Sequence, residues 1–347
     1  MTILAGWMTV LLSSTLVSAA ASAASIPLGR RLGRVSAGGE LRAGPGGVPV
    51  MGGLAVVSGL AAGCLTGRLA APGVWGASSW PFHPGAAGLV LLVAGFWMIG
   101  WADDRRPLSP ALRLGLEVPL AAAAAIAVAG PSWRGALPLA LGAVAGANAF
   151  NMIDNSDGLA AGVGAISCAA LAFAGAGAPL FLAASGALAG FWIFNHPPAR
   201  LYLGDHGTLP MGGLIGVGLA RLSSQTERIV SEPLACAVAL LAAGYLLADP
   251  LHTLAFRVLE GRRPWAGGVD HLSHDLARAA RGWPPALAAI LLVQACSAAV
   301  AVLLARGRAP SAAAWASLCT WGLLLLACAR LRGRPRPPAA GREARRA

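Results

Sequence analysis

The sequence predicts an all-α fold, a polytopic bundle of about eleven (ten to eleven) transmembrane helices. Hydrophobic residues make up 56% of the 347 residues and charged residues only 12%, whereas about a quarter of a soluble domain is charged. Apolar runs of about 17–25 residues, the length that crosses a bilayer core, recur along the whole chain. The acidic residues lie almost entirely between these runs. Together these observations favour a membrane protein whose polar chemistry lies at one membrane surface.

The apolar runs give eleven candidate spans, several of them rich in the small residues that suit close helix packing in lipid. The two weakest are 114–130, which contains Pro119, and 135–149. We expect residues 1–330 to form one membrane domain and the basic, proline-rich residues 331–347 to form a disordered cytoplasmic tail. The spans run over residues 3–24, 48–66, 86–101, 114–130, 135–149, 159–175, 178–194, 208–222, 233–253, 283–305 and 311–329.

The arginines set the orientation, because the chain has no lysine. The first apolar run has no basic residue before it, and Arg30 and Arg31 follow it, which favours a retained helix with its N-terminus outside. The small residues of SAAASAAS (18–25) resemble a signal-peptide cleavage region, and cleavage is the alternative. With the N-terminus outside, most of the 26 arginines and all eight aspartates fall at or near the cytoplasmic face, and the C-terminus is cytoplasmic.

Charge and cysteine content exclude other classes of protein. The arginines that give the net charge of +12 lie between the apolar runs and in the tail. Membrane orientation and anionic lipid headgroups explain them better than binding to nucleic acid does. The six cysteines are scattered through apolar runs without CxxC spacing, which predicts neither a disulfide framework nor a metal site.

The first polar segment, GWADDRRPLSPALRL (100–114), places Asp103 and Asp104 directly after an apolar run. Two adjacent carboxylates at a membrane boundary are costly unless a cation neutralises them, and Mg²⁺ shared with phosphate oxygens does this well. A solvated turn in which they pair with Arg105 and Arg106 is an equally good interpretation.

The second polar segment, NAFNMIDNSDGLAAG (148–162), carries Asn148, Asn151, Asp154 and Asp157 at intervals of three. That spacing predicts one shared helix face, which offers amide and carboxylate oxygens to a polar ligand. An ordinary helix-end cap needs only one or two such residues.

The third polar segment, FNHPPARLYLGDHGTLPMGG (194–213), sets Asp205 between glycines that let the backbone approach a ligand or ion. Tyr202 offers a ring that can stack on a base, or it is an interfacial anchor.

The fourth polar segment, GRRPWAGGVDHLSHDLAR (261–278), carries His271 and His274 three residues apart and Arg262 and Arg263 before them. These groups suit a diphosphate, although solvated loop histidines are the alternative. The entry loop LRAGPGGVPVMGGLAV (41–56), whose one cation is Arg42, is either structural or part of the site.

In this order the segments resemble the polyprenyl-phosphate N-acetylhexosamine-1-phosphate transferases, over about residues 41–276. The most specific stretches are NAFNMIDNSDGL and NHPPARLYLGDHG (195–207). The family's reaction is transfer of a sugar 1-phosphate from a UDP-sugar to polyprenyl phosphate, which gives polyprenyl-diphospho-sugar and UMP. The resemblance implies this activity at the cytoplasmic face of the bacterial inner membrane, in the first membrane step of cell-envelope glycan synthesis.

The resemblance also implies roles for the polar residues and a Mg²⁺ cofactor, with Mn²⁺ as the alternative. The metal ligands would be Asp205 and Asn151, and the catalytic residues would be Asp103, Asp104, His271 and His274. The substrates would be a UDP-N-acetylhexosamine and polyprenyl phosphate, with a homodimer as a candidate assembly. The residues that would bind substrate are Arg42, Asn148, Asn151, Asp154, Asp157, Asn195, Tyr202, Arg262 and Arg263.

Departures from the family pattern bear on the donor sugar. The entry loop has Arg42 and Gly44 where the family commonly has Lys and His, and Ser273 replaces the middle histidine of the last segment. We expect a GlcNAc-like donor, with UDP-MurNAc-pentapeptide as the alternative. A membrane transporter would need polar residues in mid-span, and the spans are nearly free of them. An inactive scaffold would not need the intact aspartates.

Overall fold

The computed structural model describes residues 3–36, 47–70, 85–227, 230–263, 268 and 270–332. Helices dominate this part of the chain, as the sequence predicts, with one short β-hairpin added. The helices are α1 (Ile3–Arg31), α2 (Gly52–Ala70), α3 (Ala86–Asp103), α4 (Pro110–Ala129), α5 (Trp133–Ile153), α6 (Leu159–Ala174), α7 (Ala178–Asn195), α8 (Asp205–Thr226), α9 (Glu232–Ala243), α10 (Tyr245–Leu259), α11 (Leu272–Ala279), α12 (Trp283–Ala305) and α13 (Ser311–Arg332).

Each apolar run of the sequence lies on a helix, except that the run 48–66 begins on a short strand, Val48–Pro49, before its helix starts at Gly52. Not all of these helices are long and apolar enough to cross a membrane. Seven of the described helices meet that condition: α1, α2, α3, α4, α5, α7 and α12. The α9–α10 pair makes an eighth if the bent pair is one span, and α6 and α13 supply shorter apolar stretches. Pro119 does not interrupt α4, which continues through it.

The predicted span 233–253 is not one straight helix. It bends by 90° between α9 and α10, at Gly244, whose φ is 49°. The side chain of Gln294 satisfies the backbone at the break: its Oε1 accepts from the amide of Tyr245 (2.8 Å) and its Nε2 donates to the carbonyl of Ala242 (3.2 Å). A break in an apolar helix is tolerated where neighbouring groups supply the lost hydrogen bonds in this way.

Small residues allow α5 and α8 to pack in close contact. The space between the two helices is too small for a larger side chain. A Cβ atom on Gly216 of α8 would overlap the carbonyl oxygen of Gly142 on α5. α8 also packs against α3. The ends of α3 and α5 that carry the predicted site residues therefore lie beside the start of α8.

The hairpin lies at the same end of the bundle. Strands β1 (Val35–Ser36) and β2 (Val48–Pro49) pair antiparallel, and Val50 forms a parallel bridge with Tyr202. The amides of Gly52 and Gly53 donate to the carbonyls of Tyr202 and Leu203 (both 2.9 Å). These bonds fix the start of α2 against the loop that leads into α8.

Candidate active site

Asp104 holds the N-terminus of α8. Its Oδ1 accepts a hydrogen bond from the amide of Asp205 (3.0 Å), and its Oδ2 accepts one from the amide of His206 (3.1 Å). The Nδ1 atom of His206 lies 2.5 Å from the same Oδ2. Because the first amides of a helix lack partners within it and carry partial positive charge, a carboxylate is stabilised there. Asp104 is therefore placed to fix the position of Asp205.

Arg113 is the cation at the centre of the acidic cluster. Its guanidinium lies 3.3 Å from Oδ2 of Asp103, 3.6 Å from Oε1 of Glu117 and 3.7 Å from Oδ2 of Asp205. The side chains of Asp103 and Glu117 are almost fully buried, with 8% and 0% exposed, whereas 30% of the Asp205 side chain is exposed. Arg113 therefore compensates two enclosed charges and orients a third that faces outward.

Two asparagines of α5 complete this network. Arg113 donates to Oδ1 of Asn148 (3.0 Å) and to Oδ1 of Asn151 (3.3 Å). The amide nitrogens donate onward, from Asn148 to Glu117 (2.6 Å) and from Asn151 to Asp205 (2.7 Å). Each amide thus receives a bond from the cation and gives one to a carboxylate, which fixes both amide orientations.

The row of four polar residues predicted on one helix face is shorter in the structure. α5 ends at Ile153, so Asn148 and Asn151 share its last turns and Asp154 follows as its C-cap. Asp157 lies beyond the helix end and is buried, with 1% exposed. The prediction is therefore wrong for Asp157, because the spacing of three has meaning only while the helix continues.

A cavity of about 480 Å³ opens beside the acidic cluster. Asn151 and Asp154 line it from the end of α5 and Asp205 from the start of α8, and Arg34 and Trp101 line it as well. It is large enough for a polar ligand of several groups. Its lining residues are Gly33, Arg34, Val35, Ser36, Val50, Trp101, Asp104, Asn151, Asp154, Gly204 and Asp205.

The electrostatics of the cavity favour a cation beside Asp205. Burial, together with the carboxylates of Asp104 and Asp103, raises the pKa of Asp205 to about 7. The described residues contain no group of three or more His, Cys, Asp or Glu side chains placed to hold a metal ion by themselves. Mg²⁺ needs no such cage, since it usually binds one or two carboxylates and completes its shell with water and phosphate oxygens. Asp205 and Asp154, which both line the cavity, fit that description.

Asn195 and Asp157 lie outside the cavity and join two loops. Asn195 accepts from the amide of Gly158 (3.1 Å) and donates to the carbonyl of Leu201 (2.9 Å). Oδ2 of Asp157 accepts from the amide of Ala199 (3.0 Å). Both predicted substrate-binding residues thus fix the loop before α8 to the loop after α5.

The ring of Tyr202 is also buried in this arrangement. The side chain is 2% exposed and packs with Val48 and Ala199, while its amide donates to the carbonyl of Pro49 (2.8 Å). The predicted contact of this ring with a base would require the hairpin to move.

The histidine segment contacts a neighbour of the cavity-lining residues and not the cavity itself. Nδ1 of His271 lies 2.8 Å from Oδ2 of Asp249, and His271 precedes the first turn of α11. His274 lies on that turn, with its ring centroid 6.0 Å from that of His271. Ser273 donates to Oδ1 of Asn155 (2.8 Å), the residue after cavity-lining Asp154. The segment is therefore attached to the site but does not line the cavity in the described part of the chain.

Of the three arginines predicted to bind phosphate, one is paired with a carboxylate, one is exposed and one lies outside the described residues. Arg262 donates to Asp270 (2.9 Å), which also receives two bonds from Arg257 (both 2.9 Å). Burial alone would raise the pKa of Asp270, but the hydrogen bonds and the charge of Arg257 lower this pKa. Arg263 is exposed, and Arg42 lies outside the described residues.

Several residues of the site were not predicted from the sequence. Arg113 and Arg34 were accounted for by membrane orientation alone. Glu117 follows Arg113 by four residues at the start of an apolar run, a spacing that brings two side chains together on a helix, and this could have indicated the pair. His206 and Trp101 carried no such signal, because their contacts depend on how α3 meets α8.

Comparison with known proteins identifies the family. Residues 86–223 match the sequence profile described as Glycosyl transferase family 4. The phospho-N-acetylmuramoyl-pentapeptide-transferase of Synechococcus sp. (strain CC9605) is 33% identical over 260 residues, which cover 62% of this chain and 69% of that protein. The chain belongs to glycosyl transferase family 4. The proteins of that same name from Synechococcus sp. (strain JA-2-3B'a(2-13)) and Heliobacterium modesticaldum (strain ATCC 51547 / Ice1) are 35% identical over 209 residues and 37% identical over 154 residues.

The matches cover only part of the chain, and the matched part includes the acidic cluster. The shorter alignments cover 52% and 42% of this chain, and 57% and 44% of the relatives, so the chain spans about half the length of these curated family members. The profile match runs from α3 into α8 and contains the whole acidic cluster. The resemblance to polyprenyl-phosphate sugar-1-phosphate transferases is confirmed, and the chain is an integral membrane protein of this family.

Proposed function

We propose that this chain transfers a sugar 1-phosphate from a UDP-sugar to polyprenyl phosphate. In the reaction an oxygen of the acceptor phosphate bonds to the phosphorus that carries the sugar. The bond from that phosphorus to the bridging oxygen breaks, and UMP leaves. The observation that carries the proposal is the single cavity lined by Asp205, Asp154 and Arg34. Such a site can receive a metal-bound diphosphate and a second phosphate together.

Mg²⁺ is the proposed cofactor, with Asp205, Asp154 and Asn151 as the residues that would hold it. When bound, it would neutralise phosphate oxygens and stabilise the departing UMP. Mn²⁺ suits the same oxygen ligands. Arg113 keeps the carboxylate of Asp205 and the amide of Asn151 in fixed orientations, through contacts of 3.7 and 3.3 Å.

The two adjacent aspartates are proposed to position the site, and a base is not required of them. A phosphate monoester has a second pKa near 6, so the acceptor is already largely ionised at pH 7. Asp103 accepts from the amide of Leu108 (2.7 Å) and pairs with Arg113, and Asp104 caps α8. Charge neutralisation is the main need of phosphoryl transfer.

The donor sugar is proposed from the named relatives. The named relatives are phospho-N-acetylmuramoyl-pentapeptide-transferases, which favours UDP-MurNAc-pentapeptide over the GlcNAc-like donor expected from the sequence. The cavity-lining residues are polar at the metal side and do not by themselves select one sugar. We therefore propose UDP-MurNAc-pentapeptide as the first donor to test and UDP-GlcNAc as the second.

The topology and location are proposed from the arginine distribution. The N-terminus lies outside and the C-terminus inside, so that the ends of α3 and α5 and the start of α8 face the cytoplasm of a bacterial inner membrane. The eleven-span count requires the bent α9–α10 pair, the shorter α6 and α13, and α8 to cross as well. A cysteine placed at Asp154, on the proposed cytoplasmic face, or at Arg308, on the proposed outer face, would test this. Only the cysteine at position 308 should react with an impermeant thiol reagent in intact cells.

The activity itself is tested by UMP release from membranes that contain the chain. The assay supplies Mg²⁺, polyprenyl phosphate and each UDP-sugar in turn. Asp205→Ala is expected to lower the rate by at least about a hundredfold while the protein stays in the membrane. Glu232→Ala, which removes an exposed carboxylate on α9, serves as the matched control. Absence of UMP release with every donor, from folded wild-type protein, would disprove the proposed function.

A further inference from the structure

The imidazole ring of His206 is fully enclosed at the start of α8. Its centroid lies 5.3 Å from that of Trp101 and 6.1 Å from that of Trp97, both in edge-to-face geometry. A Cβ atom on Gly53 of α2 would lie 2.6 Å from Cδ2 of the ring, and one on Gly204 would lie 2.9 Å from Nδ1. The ring therefore occupies a space made by two tryptophans of α3 and by glycines that have no side chain to fill it.

The two ring nitrogens of His206 have different surroundings. Nδ1 lies 2.5 Å from Oδ2 of Asp104, and because an ionised carboxylate can only accept, Nδ1 is the donor of this bond. Nε2 is buried and has no hydrogen-bond partner among the described residues. Enclosing a polar nitrogen without a partner is costly. Within the described part of the chain, the hydrogen bonding of the ring thus serves the carboxylate of Asp104.

His206 completes the set of hydrogen bonds that Asp104 accepts. The carboxylate also receives the amides of Asp205 and His206, at 3.0 and 3.1 Å. A carboxylate has about four acceptor positions, and the first two residues of α8 use three of them. Although Asp104 lines the cavity, it therefore has little capacity left for a ligand there.

The same ring attaches the start of α8 to the end of α3. Trp97 and Trp101 lie on α3, and Asp104 is its C-cap. His206 thus joins the two helices by packing and by a hydrogen bond at once. Asp205 directly precedes His206 and lines the cavity, so this attachment fixes the carboxylate that would hold the metal.

We propose that His206 is a positioning residue for the transfer reaction and that it acts through Asp104. The proposal rests on the proposed function and adds the group that keeps its geometry. His206 is buried and does not line the cavity, so its effect must pass through the residues that it holds. The bond from Nδ1 keeps Asp104 on α8 and away from the metal and the acceptor phosphate. A residue that only filled space would need the shape of the ring but not its donor.

Two substitutions of nearly equal shape separate the hydrogen bond from the packing. His206→Asn keeps an N–H donor where Nδ1 lies, whereas His206→Leu has a similar branched outline without a donor. In the UMP assay we expect kcat to fall about tenfold to hundredfold for His206→Leu, because small displacements of reacting groups have effects of this size. His206→Asn should restore most of that loss. If His206→Leu does not reach the membrane, His206→Gln replaces it, because its amide lies where Nε2 lies and not where Nδ1 lies.

His196→Leu is the matched control for these substitutions. The ring of His196 also packs against a tryptophan, with its centroid 5.3 Å from that of Trp192, but its Nδ1 lies 3.2 Å from a backbone carbonyl. We expect this variant to keep the kcat of the wild type. Equal losses in His206→Asn and His206→Leu would show that the ring serves packing alone and would overturn the proposal, as would wild-type turnover in His206→Leu.

A double-mutant cycle tests whether His206 acts through Asp104. Asp104→Asn replaces one acceptor oxygen by an amide group that cannot accept. Residues that work through a shared contact have non-additive effects, so His206→Leu should lower kcat much less in Asp104→Asn than in the wild type. Losses that multiply in full would mean that His206 acts independently of Asp104, contrary to the proposal.

Hydrogen exchange measures the attachment of α8 without any substrate. Full-length wild type and variants are compared in detergent, in peptides that contain Asp205 and His206. These amides should exchange about tenfold faster in His206→Leu, which corresponds to about 1.4 kcal/mol, and at nearly the wild-type rate in His206→Asn. Equal exchange in all three proteins would overturn the proposal. If the wild type releases no UMP with any donor while the exchange rates differ as expected, the proposed function is wrong and the attachment through Asp104 is still supported.

Discussion

Arg113→Ala is the substitution that most directly tests how the acidic cluster is held together. The guanidinium contacts the carboxylates of Asp103, Glu117 and Asp205 and two asparagine amides, with distances from 3.0 to 3.7 Å. Removing one partner of a buried ion pair costs about 3–5 kcal/mol, because the other charge is left without compensation. Since 20% of the Arg113 side chain is exposed, water can replace part of its contacts. We therefore expect a loss of about 2–4 kcal/mol.

Two measurements separate the effects of this substitution on stability and on activity. Thermal unfolding in detergent should shift to lower temperature, and UMP release should fall even below the unfolding range because Asp205 and Asn151 lose their orientation. Arg113→Lys should lie between wild type and Arg113→Ala, since an ammonium keeps the charge but lacks the planar fork that reaches both asparagines. Arg106→Ala is the control. An Arg113→Ala protein with wild-type unfolding and wild-type turnover would refute the central role of this residue.

Three further predictions concern contacts around the cluster. Gly100→Ala should lower stability by about 1–3 kcal/mol and remove most of the activity, because the new Cβ would overlap the carbonyl of Asp205. Gly115→Ala, where nothing lies within 4 Å, should be neutral or stabilising by about 0.5–1 kcal/mol. Equal effects of the two substitutions on thermal unfolding and turnover would contradict the reasoning. Glu117→Gln keeps a carbonyl oxygen for the amide of Asn148 but removes an enclosed charge that Arg113 compensates. It should therefore lower the unfolding temperature, though by less than Arg113→Ala, because Asp103 and Asp205 still pair with the guanidinium. An unchanged unfolding temperature would show that the charge of Glu117 is not needed. Ser273→Ala removes a partly buried hydrogen bond to Asn155 worth about 1 kcal/mol and should raise KM for the donor. An unchanged KM would show that the histidine segment does not act on the site.

The sequence could predict which helix ends would meet, because membrane orientation restricts the possibilities. Asp103, Asn151 and Asp205 each follow or precede an apolar run at the same predicted face, and the structure brings them into one network. The roles inside the network were not predictable in the same way. Arg113 is one of many arginines that the orientation rule explains equally well, and only the meeting of α4, α5 and α8 distinguishes it.

The limits of hydropathy explain the errors in the helices. Mean hydropathy describes composition, so it places 233–253 in the membrane but cannot show the bend at Gly244. That bend is stabilised by Gln294, a residue fifty positions further along the chain, whose side chain bonds to Ala242 before Gly244 and to Tyr245 after it. Periodicity fails in the same way at Asp157, where α5 has already ended. Features fixed by distant partners are therefore not readable from a local window.

The structure also changes what a loss of activity at the paired aspartates would mean. Both carboxylate oxygens of Asp104 are engaged by the first two residues of α8, while Asp205, at the first position of that helix, faces the cavity. Replacing Asp104 would release the start of α8 and move Asp205, so turnover would fall whether or not Asp104 ever touches a substrate. Activity alone thus cannot identify Asp104 as a base. A distinguishing result is the pH dependence of turnover in Asp104→Asn: loss of a base would change the shape of the profile, whereas displacement of Asp205 would lower the rate at every pH and weaken Mg²⁺ binding.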